Sequence, residues 1–166
     1  MSKILIIEDE PAIRRVLVKI LSEEDKSHEI DEAENGIDAI NQVKKNSYDL
    51  IISDIKMPKV DGMEVLDYSK KNNPETPIIM ISGHGDLELA VDSMKKGAFD
   101  YISKPPDLNR LLTTVRNALD RKQLVVENKL LRKKISKNFE MIGKSKAINE
   151  IKDLIDKVAE TDAKIL

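Results

Sequence analysis

The sequence predicts an α/β fold in which a doubly wound parallel sheet carries helices on both of its faces. Short apolar runs of strand length alternate along the chain with longer segments whose apolar residues recur at helical spacing. Alternation of this kind is typical of parallel strands that are joined by helical crossovers. Five such strand–helix units follow one another up to about residue 120, so this part of the chain is expected to form one domain.

The five predicted strands differ in how apolar they are. The first, at residues 4–7, is a continuous run rich in β-branched residues, as expected of a strand that is buried on both faces. The second, at residues 28–33, is the least apolar and is therefore predicted to lie at an edge of the sheet. The others are predicted at residues 49–53, 77–81 and 98–102.

The segments between the strands carry helix signals at their ends and an apolar face along their length. Pro11 suits the first turn of one helix, Asp107 is a good N-cap for the last helix, and Gly97 is a good helix stop. The predicted apolar faces consist of Ile13, Val16, Leu17 and Ile20; Ile37, Ile40 and Val43; Met63, Leu66 and possibly Val65; Leu87, Ala90, Val91 and Met94; and Leu108, Leu111, Leu112 and Val115.

The last predicted helix continues beyond the end of the fifth strand–helix unit. From Arg110 to about Lys137 the chain contains neither glycine nor proline. Alternating steps of three and four residues in this stretch favour a short coiled coil that forms a homodimer, with Asn128 where a polar residue would fix the register. A solvated helical linker is the alternative, because the pattern lasts for only about two heptads. The predicted seam consists of Arg121, Leu124, Asn128, Leu131 and Ile135.

Composition and charge exclude several classes of protein. The formal net charge is -2, which gives no argument for nucleic acid or a membrane as partner. The absence of cysteine rules out disulfides and cysteine-based zinc sites. No apolar stretch is long enough to span a bilayer or to form the core of a signal peptide. We therefore expect a cytoplasmic protein with no membrane partner.

Residues 121–137 are basic, with seven lysines or arginines against one glutamate. Aromatic residues interleaved with these charges would favour a contact with nucleic acid, and this stretch has none. A solvated flank of a coiled coil is therefore the better interpretation. We expect no direct DNA binding by this chain.

Polar side chains follow the predicted strands at the points where the apolar runs end. Glu8 and Asp9 close the first strand, Asp54 closes the third, Ser82 closes the fourth, and Lys104 follows the fifth. In open parallel sheets, ligands bind beyond the carboxyl ends of the strands, at the point where the strand order reverses. A single aspartate after a strand is usually a turn or cap residue, so the prediction depends on all five residues arriving together.

The chemistry of this set favours phosphoryl transfer to a carboxylate. Three carboxylates brought together repel one another unless a cation lies among them, and oxygen ligands without histidine or cysteine suit Mg²⁺. A carboxylate can act as a nucleophile toward phosphorus. The ammonium group of Lys104 and the hydroxyl group of Ser82 could then neutralise and bind the phosphoryl oxygens.

Six short motifs, taken together, closely resemble the response-regulator receiver domain of two-component systems. The resemblance covers about residues 2–120. It implies a flavodoxin-like (βα)₅ fold whose parallel strands have the order 2-1-3-4-5, the order known for receivers of this type. The motifs are Glu8-Asp9, Ser53-Asp54, Met57-Pro58, Asp61-Gly62, Ser82-Gly83 and Lys104-Pro105.

The resemblance implies roles for the acidic residues. Asp54 matches the phospho-acceptor of the family. Asp9 matches the main carboxylate ligand of Mg²⁺, and Glu8 assists it, usually through water. The backbone carbonyl group of Lys56 would be a further metal ligand.

The resemblance also implies roles on the fourth and fifth strands. Lys104 matches the phosphate-binding lysine, and its peptide bond to Pro105 is expected to be cis. Ser82 matches the switch hydroxyl group, and Tyr101 matches the aromatic residue that swings inward on activation; the alternative for Tyr101 is a residue at the edge of the core. Pro106 departs from the family, which commonly has an aromatic residue there. His84 is better interpreted as a loop residue than as an acid–base group.

Residues 139–166 resemble the entrance to the AAA+ ATPase domain of NtrC-type, sigma-54-dependent activators. Gly143, Lys144 and Ser145 do not form a phosphate-binding loop, because such a loop needs a glycine where the chain has Asn138. We therefore expect the chain to be a piece of a longer protein. By itself, this piece is expected neither to hydrolyse ATP nor to bind a promoter. The domain boundaries are predicted as receiver 1–120, helical linker 121–138 and incomplete ATPase domain 139–166.

The function predicted from these features is a regulatory switch. A sensor histidine kinase would phosphorylate Asp54, and the dimer would then control an activator that works with sigma-54 RNA polymerase and promoter DNA. Two alternatives are a phosphorylation-independent dimerisation module and a magnesium phosphatase that acts on other molecules. The first would be expected to have lost acidic-pocket or lysine residues, and this sequence has lost none. The second would need a substrate pocket, for which the sequence has no evident residues.

Overall fold

A computed structural model describes residues 2–83 and 87–138, with side chains described up to residue 132 and excepting residue 87. Strands and helices alternate along these residues, as the sequence predicts. The strands are β1 Lys3–Ile7, β2 Glu29–Ala33, β3 Leu50–Asp54, β4 Ile78–Ser82 and β5 Asp100–Ser103. The helices are α1 Pro11–Glu24, α2 Gly36–Lys45, α3 Gly62–Asn72, α4 Leu87–Lys95 and α5 Leu108–Asn138.

The strands form one parallel sheet in the order β2-β1-β3-β4-β5, which confirms the predicted fold. β1 pairs with both β2 and β3, so that Ile4 lies between Ile30 and Leu50. The strand order therefore reverses between β1 and β3, and a ligand site is expected beyond the carboxyl ends of these two strands. The weakly apolar β2 lies at an edge, as predicted.

The core has two layers, one on each face of the sheet. Neighbouring residues of β1 point to opposite faces, so Leu5 and Ile7 belong to one layer while Ile4 and Ile6 belong to the other. Every residue of β3 and of β4 is buried. Burial on both faces explains why these strands consist of nearly continuous aliphatic residues.

Most members of the predicted apolar helix faces pack against the sheet, but a few lie on the outer side of their helix. In α1, Leu17 is buried, and Ile13 and Ile20 are partly buried against the same layer of the core, whereas Val16 is 54% exposed. The structure also buries Arg14 and Leu21 on this helix, which the spacing did not include. Other members of the predicted faces are about half exposed: Ile37, Val91, Met94 and Leu108.

Side-chain caps fix the starts of three helices. Asn35 accepts a hydrogen bond from the Asp38 N–H at 2.9 Å, and Asp61 accepts one from the Glu64 N–H at 2.9 Å. Asp107 accepts one from the Arg110 N–H at 2.8 Å, which confirms the predicted N-cap. Gly97, the predicted helix stop, follows α4 with φ +93°, a conformation that favours glycine.

α5 continues well past residue 120, and its next turn contacts the sheet domain. The guanidinium carbon of Arg121 lies 5.7 Å from the centre of the Phe99 ring, and Lys122 Nζ lies 3.0 Å from Asp49 Oδ1. The chain divides into two compact units, one ending at Val126 and the other beginning at Glu127. The predicted ATPase fragment, residues 139–166, lies outside the described residues, and the predicted boundaries stay predictions.

The stacking of Arg121 on Phe99 bears on the predicted coiled-coil seam. Arg121 packs toward the sheet domain, so the seam available on α5 starts at Leu124. The side chain of Ile135, the last predicted seam residue, lies outside the described residues. No helix in the described parts of the chain combines the length and the apolar character that crossing a membrane requires.

Candidate functional site

Three carboxylates meet beyond the carboxyl ends of β1 and β3. Glu8 and Asp9 follow β1, and Asp54 is the last residue of β3. One oxygen atom from each lies within 4.8 Å of the other two. Asp9 is exposed, whereas Glu8 is 1% and Asp54 is 5% exposed. The fold thus brings together acidic residues that are more than 40 positions apart in the sequence.

Lys104, which follows β5, bridges two of these carboxylates. Its Nζ atom lies 2.7 Å from Asp54 Oδ2 and 2.7 Å from Glu8 Oε2. Burial by itself lowers the pKa of Lys104, but the hydrogen bonds to Asp54 and Glu8 and their negative charges raise it above its usual value. The ammonium group is therefore charged at neutral pH and is held beside the Asp54 carboxylate.

Glu8 is the least solvated of the three carboxylates. Burial raises the pKa of its carboxyl group; contact with Lys104 lowers that pKa, and the charge of Asp54 raises it further. Glu8 Oε1 accepts a hydrogen bond from the Glu10 N–H at 3.3 Å. Glu8 Oε2 is fully buried and, apart from the ion pair with Lys104, has no hydrogen-bond partner among the described residues.

These residues fit a hard divalent cation. Three carboxylates face one ammonium group, so negative charge is in excess at the site. The buried Oε2 atom of Glu8 has unused capacity as an acceptor. A donor set made of carboxylate oxygens alone is the set that Mg²⁺ prefers in proteins.

The backbone around Asp54 is held by short-range contacts. The Ser53 hydroxyl group donates to the Asp54 carbonyl oxygen at 2.9 Å, and the Lys56 N–H donates to Asp54 Oδ1 at 3.4 Å. Gly62 packs against the end of β3: a Cβ atom there would lie 2.0 Å from the Asp54 carbonyl oxygen. Close packing explains why the sequence has glycine at the start of α3.

The predicted switch residues lie on β4 and β5, next to the acidic pocket. Ser82 ends β4 and is fully buried, and its carbonyl oxygen accepts a 2.7 Å hydrogen bond from the Lys104 N–H. Tyr101 is half-buried against one layer of the core. The Lys104–Pro105 peptide bond is cis. His84 lies outside the described residues.

One residue of this neighbourhood escaped the sequence reasoning. Arg14 on α1 is only 8% exposed and donates a 2.7 Å hydrogen bond from Nη1 to the Glu8 carbonyl oxygen. The sequence carries no signal for this role, because an arginine beside an apolar stripe is usually a solvated residue. The contact depends on how α1 is rotated against the sheet.

A family model described as the response regulator receiver domain matches residues 4–116. The nitrogen assimilation regulatory protein NtrX of Azorhizobium caulinodans is 36% identical over 98% of this chain and 36% of its own length. The C4-dicarboxylate transport transcriptional regulatory protein DctD of Pseudomonas aeruginosa is 32% identical over 99% of this chain and 36% of its own length. The chain thus spans little more than a third of these relatives.

Solved structures agree with this match. A crystal structure of NtrX from Brucella abortus has a TM-score of 0.74 at 36% identity and covers 99% of this chain and 36% of that one. A receiver domain protein from Clostridium thermocellum has a TM-score of 0.70 at 37% identity and covers 75% of this chain and 99% of that one. The second match covers almost the whole of that receiver domain protein.

Proposed function

The chain belongs to the response regulator receiver domain family, and we propose that Asp54 accepts a phosphoryl group from a sensor histidine kinase in a Mg²⁺-dependent reaction. One observation carries this proposal. Lys104 Nζ lies 2.7 Å from the Asp54 carboxylate, within a cluster whose other members are Glu8 and Asp9. The cluster combines a nucleophile, a fixed cation and oxygen ligands for a metal ion.

In the proposed reaction, a carboxylate oxygen of Asp54 forms a bond to phosphorus. The bond between phosphorus and the imidazole nitrogen of the donor histidine breaks, and its electron pair stays on that nitrogen. Lys104, already placed beside Asp54, donates a hydrogen bond to a phosphoryl oxygen and offsets its charge. The Ser82 hydroxyl group binds a second phosphoryl oxygen.

Mg²⁺, when bound, would be held by Asp9, Asp54 and the Lys56 carbonyl group, with Glu8 assisting, and would neutralise charge on the phosphoryl oxygens. The burial of Asp54 also restricts which molecules can react at this site. Burial of Asp54 limits the approach of water and of large acceptors to the acyl phosphate. We therefore assign the site to phosphorylation and dephosphorylation of the chain itself and to no further enzymatic activity.

Phosphorylation of Asp54 changes the conformation of the domain through Ser82 and Tyr101. The phosphoryl group draws the Ser82 hydroxyl group toward it, and Tyr101 moves inward into the space beside β4. These movements change the surface formed by α4 and β5. α5 begins shortly after β5, so a change there reaches the helix that leaves the domain.

The output of the switch is a homodimer formed through α5. The far part of this helix exposes Leu124 (65%) and Leu131 (51%), which lie seven residues apart on one stripe. In the longer protein, the dimer would control a cytoplasmic transcription activator that works with sigma-54 RNA polymerase and promoter DNA. The similarity to the transcriptional regulatory protein DctD supports a role in the control of transcription.

The experiment uses the full chain and a small phosphodonor. Incubation with acetyl phosphate and Mg²⁺ is expected to add the mass of one phosphoryl group, and chelation of Mg²⁺ is expected to prevent it. Asp54→Asn should remain unmodified, because an amide is not a nucleophile toward phosphorus. A wild-type chain that gains no mass under these conditions would favour the phosphorylation-independent dimerisation module.

A further inference from the structure

Arg14 is a buried cation next to the acidic pocket, and its contacts reach the loop that carries two of the carboxylates. We propose that Arg14 is a positioning residue for the metal site: it holds the segment Glu8–Glu10 in the geometry that Mg²⁺ binding requires. The inference rests on the proposed function, since it concerns the same cation. It concerns a residue that touches neither the phosphoryl group nor the metal ion.

The backbone of Glu8 is held by two hydrogen bonds. Its N–H donates to the Ala33 carbonyl oxygen at 3.1 Å, which continues the pairing of β1 with β2. Its carbonyl oxygen accepts the buried 2.7 Å hydrogen bond from Arg14 Nη1. The first of these contacts fixes the peptide group before Glu8, and the arginine fixes the peptide group after it, which leads to Asp9.

The guanidinium group of Arg14 is itself held in place by two glutamates. Arg14 Nε donates to Glu32 Oε2 at 3.0 Å, and Nη2 donates to Glu34 Oε1 at 3.2 Å. Both glutamates lie at the end of the edge strand β2 or just after it. Three contacts in the plane of one guanidinium group define its orientation, which the single point donor of a lysine cannot reproduce.

The charge of Arg14 is also paired. A bare positive charge this close to the pocket would oppose the binding of Mg²⁺. Glu32 and Glu34 form ion pairs with the guanidinium group of Arg14 and offset its charge. Arg14 therefore donates a hydrogen bond to the Glu8 carbonyl oxygen while two glutamates balance its charge. This combination suits a residue whose role is geometric.

The test compares Arg14→Ala with Arg15→Ala in the full chain. Arg15 is its neighbour on the same helix, is exposed, and donates a hydrogen bond to the carbonyl oxygen of Pro11 on α1, so it is a matched control. The dissociation constant for Mg²⁺ is measured by calorimetric titration, and folding is followed by urea unfolding without Mg²⁺. Loss of a residue that orients metal ligands typically weakens metal binding by about 10-fold or more.

We expect the dissociation constant to rise about 10-fold in Arg14→Ala and to stay unchanged in Arg15→Ala. Arg14→Lys, which keeps the charge and is more conservative for folding, should give an intermediate rise and carries the test if Arg14→Ala does not fold. A folded Arg14 variant that is less stable but binds Mg²⁺ as the wild type does would overturn the inference and leave the proposed function intact. A wild type that binds no Mg²⁺ would overturn both.

Discussion

At the scale of single residues, the close contact between Gly62 and Asp54 holds the start of α3 against the end of β3, which carries the proposed phospho-acceptor. The Gly62 N–H donates to the Ile55 carbonyl oxygen at 2.8 Å, so the backbone cannot move away from β3 without losing this bond. A side chain at Gly62 would overlap backbone atoms of Asp54 and Ile55, which have no flexible end to give way. Only glycine fits at this position, because a Cβ atom has no space beside the Asp54 carbonyl group.

Gly62→Ala is therefore expected to lower the free energy of unfolding by about 1–3 kcal/mol or more, the usual cost of overpacking. Gly83→Ala is the matched control, because a Cβ atom at Gly83 would meet nothing within 4 Å. Urea unfolding of the two variants measures the difference. Equal stability of the two variants would show that the end of β3 can relax away from α3.

Tyr48 provides a prediction about pH. Its hydroxyl group is buried and donates to Asp31 Oδ2 at 2.8 Å; burial and then the hydrogen bond to Asp31 raise its pKa from 10.0 to about 12. Between pH 10 and pH 12, the folded chain thus keeps the proton of the Tyr48 hydroxyl group, whereas the unfolded chain loses it. The stability that Tyr48 contributes is complete below pH 10 and is lost as the pH rises toward 12.

The difference in free energy of unfolding between the wild type and Tyr48→Phe should accordingly shrink by up to about 2 kcal/mol across this range. Urea unfolding at a series of alkaline pH values measures it. Absorbance of tyrosinate gives an independent check, since Tyr48→Phe should lack a titration step near pH 12. A difference that is constant across the range would mean that Tyr48 titrates as it does in the unfolded chain.

Some residues of the candidate site could be predicted from the sequence and others could not. Asp54 and Lys104 could be found from the sequence because each ends an apolar run, and the parallel sheet brings such ends to one edge. The sequence could not predict that Lys104 bridges Asp54 and Glu8, since that depends on the path of the segment after β5. Arg14 could not be found at all, because its burial depends on the rotation of α1.

At the scale of elements, the strands followed from the sequence more closely than the helix faces did. β3 is buried on both faces, so its sequence contains a continuous aliphatic run, and this run predicts a buried strand directly. α1 has apolar residues on two adjoining stripes, and spacing alone does not say which stripe meets the sheet. Packing of Leu17 and Leu21 against the sheet decides this, and it leaves Val16 exposed.

α5 is the element through which the proposed dimer forms. Leu124→Lys combined with Leu131→Lys should abolish or strongly weaken dimerisation, because the two lysines would place charge on the predicted apolar seam. Val126→Lys combined with Leu130→Lys is the matched control: it also replaces two exposed apolar residues of the same helix, but off the seam. Sedimentation equilibrium of the phosphorylated full chain measures the outcome.

Only the first pair of substitutions is expected to give a monomer. If both pairs weaken the dimer equally, general apolar association, and not a coiled-coil seam, holds the two copies together. If neither pair does so, the dimer interface lies elsewhere or the chain is a monomer. In this second outcome, α5 would be the solvated helical linker that is the alternative to the coiled coil.

At the scale of the whole molecule, the fold places the proposed phospho-acceptor and the predicted switch residues at the same end of the sheet. Asp54 ends β3, and the strands next to it in the order of the sheet end at the acidic pair on one side and at Ser82 on the other. Tyr101 lies one strand further, on the strand that leads to Lys104 and α5. A change of charge at Asp54 can thus reach α5 through contacts between neighbouring strands.

The central claim is that Asp54 is the residue that becomes phosphorylated. Reduction with borohydride converts an aspartyl phosphate to homoserine, which peptide mass spectrometry can locate in the chain. After treatment with acetyl phosphate and Mg²⁺, we expect homoserine at position 54 and at no other aspartate. Homoserine at Asp9, or modification that persists elsewhere in Asp54→Asn, would contradict it.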